Sequence, residues 1–203
     1  MYNSKRPGSR NNRRDQHHPY RRPSSSIPDG FALYYIAIVC PDEVNDTIKE
    51  YKDYMQQKYG CRAAQKSPAH LTIIPPFKAE EELETVFKDF VTSFNIGLVP
   101  FDIQLKNFSH FGNRVISVDV APNETLNHLE QEVNEQFMEQ FKSIIFRNRP
   151  EFHPHVTIAT RDIPEYKFDE AWDYFSQQNI EASFNCKNLS VLKLVRGVWE
   201  IIG

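Results

Sequence analysis

The tetrapeptide His70-Leu71-Thr72-Ile73 returns as His155-Val156-Thr157-Ile158, and no other pattern in the chain constrains its fold as strongly. Both copies lie in runs, Ala69 to Ile74 and Pro154 to Thr160, that are apolar or β-branched and close on a turn signal, which reads as buried strand. Residues i and i+2 of a strand share a face and stand roughly 7 Å apart. Each copy therefore sets an imidazole beside a hydroxyl, while Leu71, Ile73, Val156 and Ile158 turn the other way and require a core. Two such strands facing each other make a cleft.

The rest of the chain has to supply that core. Phe31 to Val39 is apolar nearly throughout, hence a central strand. A helix follows, opened by Pro41-Asp42 and closed by Gly60, with Val44, Ile48, Tyr51, Met55 and Tyr59 on one face. Pro75-Pro76 is expected to end the first His-x-Thr strand, because proline cannot donate to a ladder. A second helix is expected over Glu80 to Phe94, and an antiparallel hairpin over Phe101 to His110 and Arg114 to Val120 about Gly112-Asn113. Asn123 to Phe141 predicts a third helix with Leu126, Leu129, Val133, Phe137 and Phe141 inside. A short helix near Phe168 to Gln178 and strands around Ile180 to Cys186, Ser190 to Val195 and Val198 to Ile202 complete the order. Helices mixed with hairpins predict an α+β fold. The repeated motif predicts an internal duplication: two antiparallel or mixed sheets flanking a central cleft, helices outside.

Composition narrows the setting. At 203 residues and 40 % apolar content the chain can bury one large core, and residues 29–203 are expected as one domain without an internal linker. Residues 1–28 are different: basic, rich in Pro, Ser and Asn and almost free of aliphatic side chains, they predict a disordered tail. The reading preferred for it is a solubilising extension, with phosphate contacts to RNA as the alternative. No apolar stretch suits a membrane span or secretory signal, so a cytoplasmic protein is expected, without a membrane partner and as a monomer. Cys40, Cys61 and Cys186 are odd in number and show no Cys-x-x-Cys spacing, which disfavours a disulfide framework and a structural zinc site.

Two His-Thr pairs suit in-line displacement at phosphorus, which needs a base beside the incoming oxygen and an acid beside the leaving one. Histidine, with an ordinary pKa near ~6.5, can serve as either, and each proton transfer contributes about 10²- to 10⁴-fold. The hydroxyls of Thr72 and Thr157 would donate to the non-bridging phosphate oxygens. No cofactor is called for. A 2′,3′-cyclic phosphate, left by RNA cleavage, fits best: water attacks phosphorus and a ribose oxygen leaves. A 5′-hydroxyl attacking in place of water would instead make a phosphodiester.

The segments HLTIIPPF (70–77) and FHPHVTIAT (152–160), with the FDIQLKNFSHF...RVISVDV hairpin between, resemble the 2H phosphoesterase superfamily, in its 2′,5′ RNA ligase/cyclic phosphodiesterase (LigT-like) branch. The resemblance runs from about Phe31 to the C-terminus. It implies a bilobal fold of pseudo-twofold symmetry, His70 and His155 as the catalytic pair, Thr72 and Thr157 as phosphate ligands, and RNA ends or cyclic nucleotides, including 2′,5′-linked ones, as substrates. Relatives often carry arginine five residues after the second motif histidine; here that position is Thr160 and Arg161 comes one later, which leaves an Arg161 phosphate contact in question.

Other readings stay open. His153 with His155 could hold a metal ion, although no acidic or thiol constellation beside them completes a site; alternatively His153 lines the cleft or positions the strand. Phe77, Phe111 and Phe152 flank the motifs and would either stack a base or pack in the core. His110 and His128 read as structural. A non-catalytic module that grips RNA or nucleotide ends is the competing function class.

Overall fold

The structure, a computed structural model, describes residues 27–144 and 151–203. The predicted tail lies outside the described residues apart from its last two positions, Ile27 and Pro28. The element order is β1 (Phe31–Val39), α1 (Asp42–Tyr59), β2 (His70–Glu80), α2 (Glu84–Gly97), β3 (Phe101–Phe111), β4 (Val115–Val120), α3 (Glu124–Gln140), β5 (His155–Thr160), α4 (Phe168–Ser176), β6 (Glu181–Cys186), β7 (Ser190–Val195) and β8 (Val198–Ile201). Among the described residues no helix is long and apolar enough to cross a membrane.

The α+β expectation holds, and the two sheets it foresaw are the halves of one. Eight strands follow the order β6-β3-β4-β5-β2-β1-β7-β8, with every pairing antiparallel. The halves meet where β2 pairs β5 in the register Leu71 to Val156. A duplicated unit of strand, helix, His-x-Thr strand, helix is visible as β1-α1-β2-α2 and β4-α3-β5-α4. The helices are exchanged across the seam: α1 packs on β5, α3 packs on β2.

The duplication extends to a matched irregularity. Ala37 pairs Thr72 and Ile36 pairs Ile74, so Ile73 is an extra residue in β2; Ser117 pairs Thr157 and Ile116 pairs Ala159, so Ile158 is its counterpart in β5. A bulge thus follows each threonine directly, and both Ile73 with Ile74 and Ile158 with Ala159 enter the core. β2 also corrects the expectation that Pro75-Pro76 ends it. Ile36 pairs Ile74 and Tyr34 pairs Phe77, so both prolines share the place opposite Tyr35 and the strand resumes to Glu80. A bulge removes the demand for a ladder donor, which is where proline is tolerated within a sheet. α2 consequently opens at Glu84, after a turn at Glu81–Leu83, later than periodicity alone placed it.

One apolar cluster joins the core face of the sheet to all four helices. Its aromatic centre is Tyr34, Phe77, Phe87, Phe137 and Phe141, with Phe87 ring centroids 5.1–6.5 Å from the other four. Burial of one such ring is worth several kcal/mol and truncation leaves a cavity. Phe87→Ala, fully buried in the wild type, is expected to lower unfolding stability by about 3–5 kcal/mol, read from chemical denaturation midpoints at unchanged slope.

Candidate active site

The seam sets the four motif side chains together. Carrying the antiparallel register on from Leu71 and Val156 by one residue each way brings Thr72 beside His155 and His70 beside Thr157. Alternation turns these four to the face opposite the core, which Leu71 and Val156 enter with no exposed surface.

Both imidazoles are held in the same way. His70 Nδ1 lies 2.8 Å from the Pro68 carbonyl and His155 Nδ1 lies 2.8 Å from the His153 carbonyl, two residues upstream in each case. A carbonyl only accepts, so Nδ1 carries the proton in both rings and Nε2 of the neutral form keeps its lone pair. His70 is held further. Its ring packs on Tyr35 at 4.8 Å between centroids, and the Ser67 hydroxyl reaches its Nδ1 at 3.2 Å while bonding Tyr35 at 2.7 Å. Two side chains of α1 grip the segment that supplies the lock: Asn45 accepts from the Ala69 N–H at 2.7 Å, and Lys52 donates to the Ser67 carbonyl at 2.9 Å. His155 instead has Phe111 beside its ring, at 4.8 Å.

The hydroxyls of Thr72 and Thr157 have no hydrogen-bond partner in the protein among the described residues, and both line open space. A cavity of about 460 Å³ contains Tyr35, Lys52, Ser67, His70, Thr72, Thr157, Arg161 and Trp199 along its wall. A second, of about 400 Å³ and more apolar, is bounded by Thr72, Ile73, Phe111, Asn134, Phe152, His153 and His155. Thr72 belongs to both and marks their junction.

Burial lowers the pKa of both histidines. His70 falls from 6.5 to about 4: desolvation leads, the Pro68 hydrogen bond opposes it, and the Lys52 and His155 charges add to it. His155 is also lowered, first by desolvation and then by His153, against the raising effects of the His153 carbonyl bond and the Asp119 carboxylate. Asp119 was not singled out in the sequence; it pairs with His155 across β4 and β5, and its Oδ1 is 3.5 Å from His153 Nε2. Lys52 was missed as well, being one polar position on a helix read for its apolar face.

Each predicted site residue can now be placed. His70, Thr72 and Thr157 share the first cavity, and His155 and His153 line the second. Arg161 reaches the first from an exposed rim, its backbone in the left-handed region at φ 66°. Phe111 and Phe152 line the second cavity, but Phe77 does not: it is 4 % exposed on the core face among Tyr34, Phe87 and Phe137, so its proposed contact with substrate is withdrawn. The strand alternation that turns Thr72 to the cleft turns Phe77 away, and the two bulges between them leave that parity unchanged. His110 stacks near Trp172 and His128 is exposed on α3, both away from these cavities. Among the described residues no group of three or more His, Cys, Asp or Glu side chains gathers to suit a metal ion.

Comparison with known proteins places the chain in a family and a fold. The family described as the 2′-5′ RNA ligase superfamily matches residues 40–198. A Geobacillus kaustophilus (strain HTA426) protein named "Putative phosphoesterase GK0864" is 26 % identical over 173 residues, 83 % of this chain and 92 % of the relative. Among solved structures, TT0787 of Thermus thermophilus superposes with a TM-score of 0.59 at 18 % identity, over 84 % of this chain and 95 % of that one. E. coli LigT complexed with 3′-AMP gives 0.54 at 17 % identity, over 85 % and 94 %. At these identities the two structures speak for the fold.

The neutral burial of His70 makes stability depend on pH. The unfolded chain takes up this proton near 6.5 and the folded protein only near 4, so between those values the unfolded state binds more protons and stability falls as pH drops. Denaturation midpoints are expected to decline through that window, and His70→Gln is expected to flatten the decline.

Proposed function

The chain belongs to the 2′-5′ RNA ligase superfamily, and we propose that within its phosphoesterase-type chemistry this protein is a metal-independent phosphodiesterase of 2′,3′-cyclic phosphate or 2′,5′-linked nucleotide and RNA ends. Ligation of such ends is the same chemistry in reverse. The observation that carries the reading is the matched pair of imidazoles, each with Nδ1 occupied by a main-chain carbonyl, beside two threonine hydroxyls with no protein partner among the described residues.

The unlike surroundings of the histidines support a division of roles. His70, lowered to about 4, is neutral at physiological pH and acts as the base: its Nε2 takes a proton from the attacking water as the water oxygen bonds to phosphorus. His155, with the Asp119 carboxylate favouring its charged form, acts as the acid and gives its proton to the ribose oxygen as the P–O bond breaks. Thr72 and Thr157 donate to the non-bridging oxygens, which gain charge in the transition state. Arg161 meets the same phosphate from the rim, and His153, Phe111 and Phe152 line the chamber for the attached nucleoside. The catalytic unit is residues 29–203, a monomer without a cofactor, acting in the cytoplasm, and the basic tail is a solubilising extension.

The test is to incubate pure protein with 2′,3′-cyclic nucleotides, with and without chelator, and to identify the monophosphate formed. Turnover unaffected by chelator is expected; loss restored by a divalent ion would move the reading to a His153/His155 metal site. His70→Ala and His155→Ala are each expected to lower kcat/KM by about 10²- to 10⁴-fold, and the double variant scarcely further, since the pair acts as a unit. Near wild-type turnover in either single variant would refute the mechanism, and tight binding without turnover in the wild type would make the protein a binding module.

The pH profile follows from the same two groups. The base form of His70 is lost as pH drops through about 4, and the acid form of His155 is lost as pH rises through a value below 6.5. The kcat/KM profile is therefore expected to be bell-shaped and displaced to the acidic side, with apparent values belonging to the coupled pair. The kcat profile should lie at higher pH, because bound phosphate favours imidazolium.

A further inference from the structure

Of the lysines, arginines, aspartates and glutamates among the described residues, only Lys52 is buried, at 5 % exposure. It projects from α1, between the apolar positions Ile48 and Met55, to the start of β2. One of its three N–H groups is satisfied by the Ser67 carbonyl at 2.9 Å. No carboxylate lies within ion-pair distance among the described residues: the nearby Asp53 is committed to Lys49 and Gln65. A buried ammonium without a counter-anion is strongly unfavourable, and packing alone would be better served by methionine. Lys52 nonetheless sits in the wall of the cavity that holds His70, Thr72 and Thr157, and of an adjoining groove of about 220 Å³ with Lys66, Ser67 and Trp199.

We propose that Lys52 is a phosphate-binding residue of this cleft and that the anion it lacks is the phosphate of the substrate. The inference rests on the two-histidine reading above and adds a ligand that the His-x-Thr motifs do not contain. Held by α1, Lys52 reaches the cavity through the Ser67 segment, and Arg161 follows β5 just before Asp162, which accepts from the Arg62 and Ala63 N–H groups at 2.6 and 2.7 Å, so the phosphate is met by a fixed cation and an exposed one. The bond to Ser67 also braces the segment whose Pro68 carbonyl locks His70.

The ionisation of Lys52 agrees with this role. Burial lowers it from 10.5 to about 8. The groups facing it are the Cys40 thiol, raised to about 12 and so uncharged; His70 on β2; Lys66 on the Ser67 segment; Lys49 and Asp53, paired with each other on its own helix; and Arg161 in the wall of the same cavity. None supplies an anion, so a bound one pulls a proton onto the amine, whereas above pH 8 the empty site loses its charge.

Sulfate, a tetrahedral dianion that does not titrate near neutrality, is the probe. Calorimetry of sulfate binding at about pH 8, in buffers of different ionisation enthalpy, is expected to show uptake of about half a proton by the wild type. Lys52→Met is expected to lose that uptake and to bind sulfate about 10- to 100-fold more weakly, with Lys52→Arg restoring most of the affinity. Turnover of 2′,3′-cyclic AMP should follow: kcat/KM falls by a similar factor in Lys52→Met, and the wild-type value declines as pH rises through about 8. A residue that merely braced Ser67 would lower turnover while leaving sulfate affinity and proton uptake unchanged, and that result overturns the proposal. If Lys52→Met fails to fold, the wild-type measurement still decides, since sulfate bound without proton uptake, or not bound at all, also overturns it. Failure of the two-histidine reading shows elsewhere, as turnover surviving in His70→Ala, and leaves the sulfate result standing.

Discussion

One backbone pairing, Leu71 against Val156, carries the arrangement on which the rest of the molecule depends. Antiparallel strands joined there must present the residues before and after the pair in crossed order, and the motif places a histidine and a threonine at those positions in both strands. A slip by one residue would turn the histidine and threonine of one strand into the core and break the set of four. So short a seam is not held by its own ladder. It is held by burial, because each half sends a helix over the His-x-Thr strand of the other, and α1 and α3 meet one continuous apolar cluster. The bulges after Thr72 and Thr157 belong to the same design, each driving two successive residues into that cluster immediately past the cleft.

Symmetry of the backbone does not make the two histidines equal. Where the first half has Val39 opposite His70, the second has Asp119 opposite His155. A cation, Lys52, stands near His70 and depresses it, whereas a carboxylate near His155 favours its proton. A duplicated frame with unlike charges beside its two imidazoles sets them apart electrostatically without altering the scaffold. The aromatic settings differ too: Tyr35 supports one ring and Phe111 the other, so one side of the cleft is polar and basic and the other apolar.

Much of this was legible in the chain itself, because the His-x-Thr runs, the helix faces and the Gly112-Asn113 hairpin all obey simple periodicities. Pro75-Pro76 misled because a bulge suspends the ladder where they fall, and register is a property of the partner strand, not of the sequence read alone. Phe77 was misplaced although plain alternation, five residues on from Thr72, already turns it to the core face. Lys52 occupies a helical position that a solvent-facing lysine would occupy equally well, and only the turn of the Ser67 segment over α1 buries it. The locks on His70 and His155 left no trace at all, being made by main-chain carbonyls under residues as unlike as Pro68 and His153.

The strand order has a consequence for synthesis on the ribosome. The second half of the sheet, β3 to β6, is continuous in the chain, but the first is split, with β1 and β2 before that stretch and β7 and β8 after it. Until β7 and β8 emerge, β1 has an unpaired edge and Tyr35 lacks Leu192 and Trp199, the residues packed with it beside His70. The nascent protein therefore cannot complete its cleft before β7 and β8 have followed β6, and a chain without that hairpin leaves the tyrosine beneath His70 unsupported.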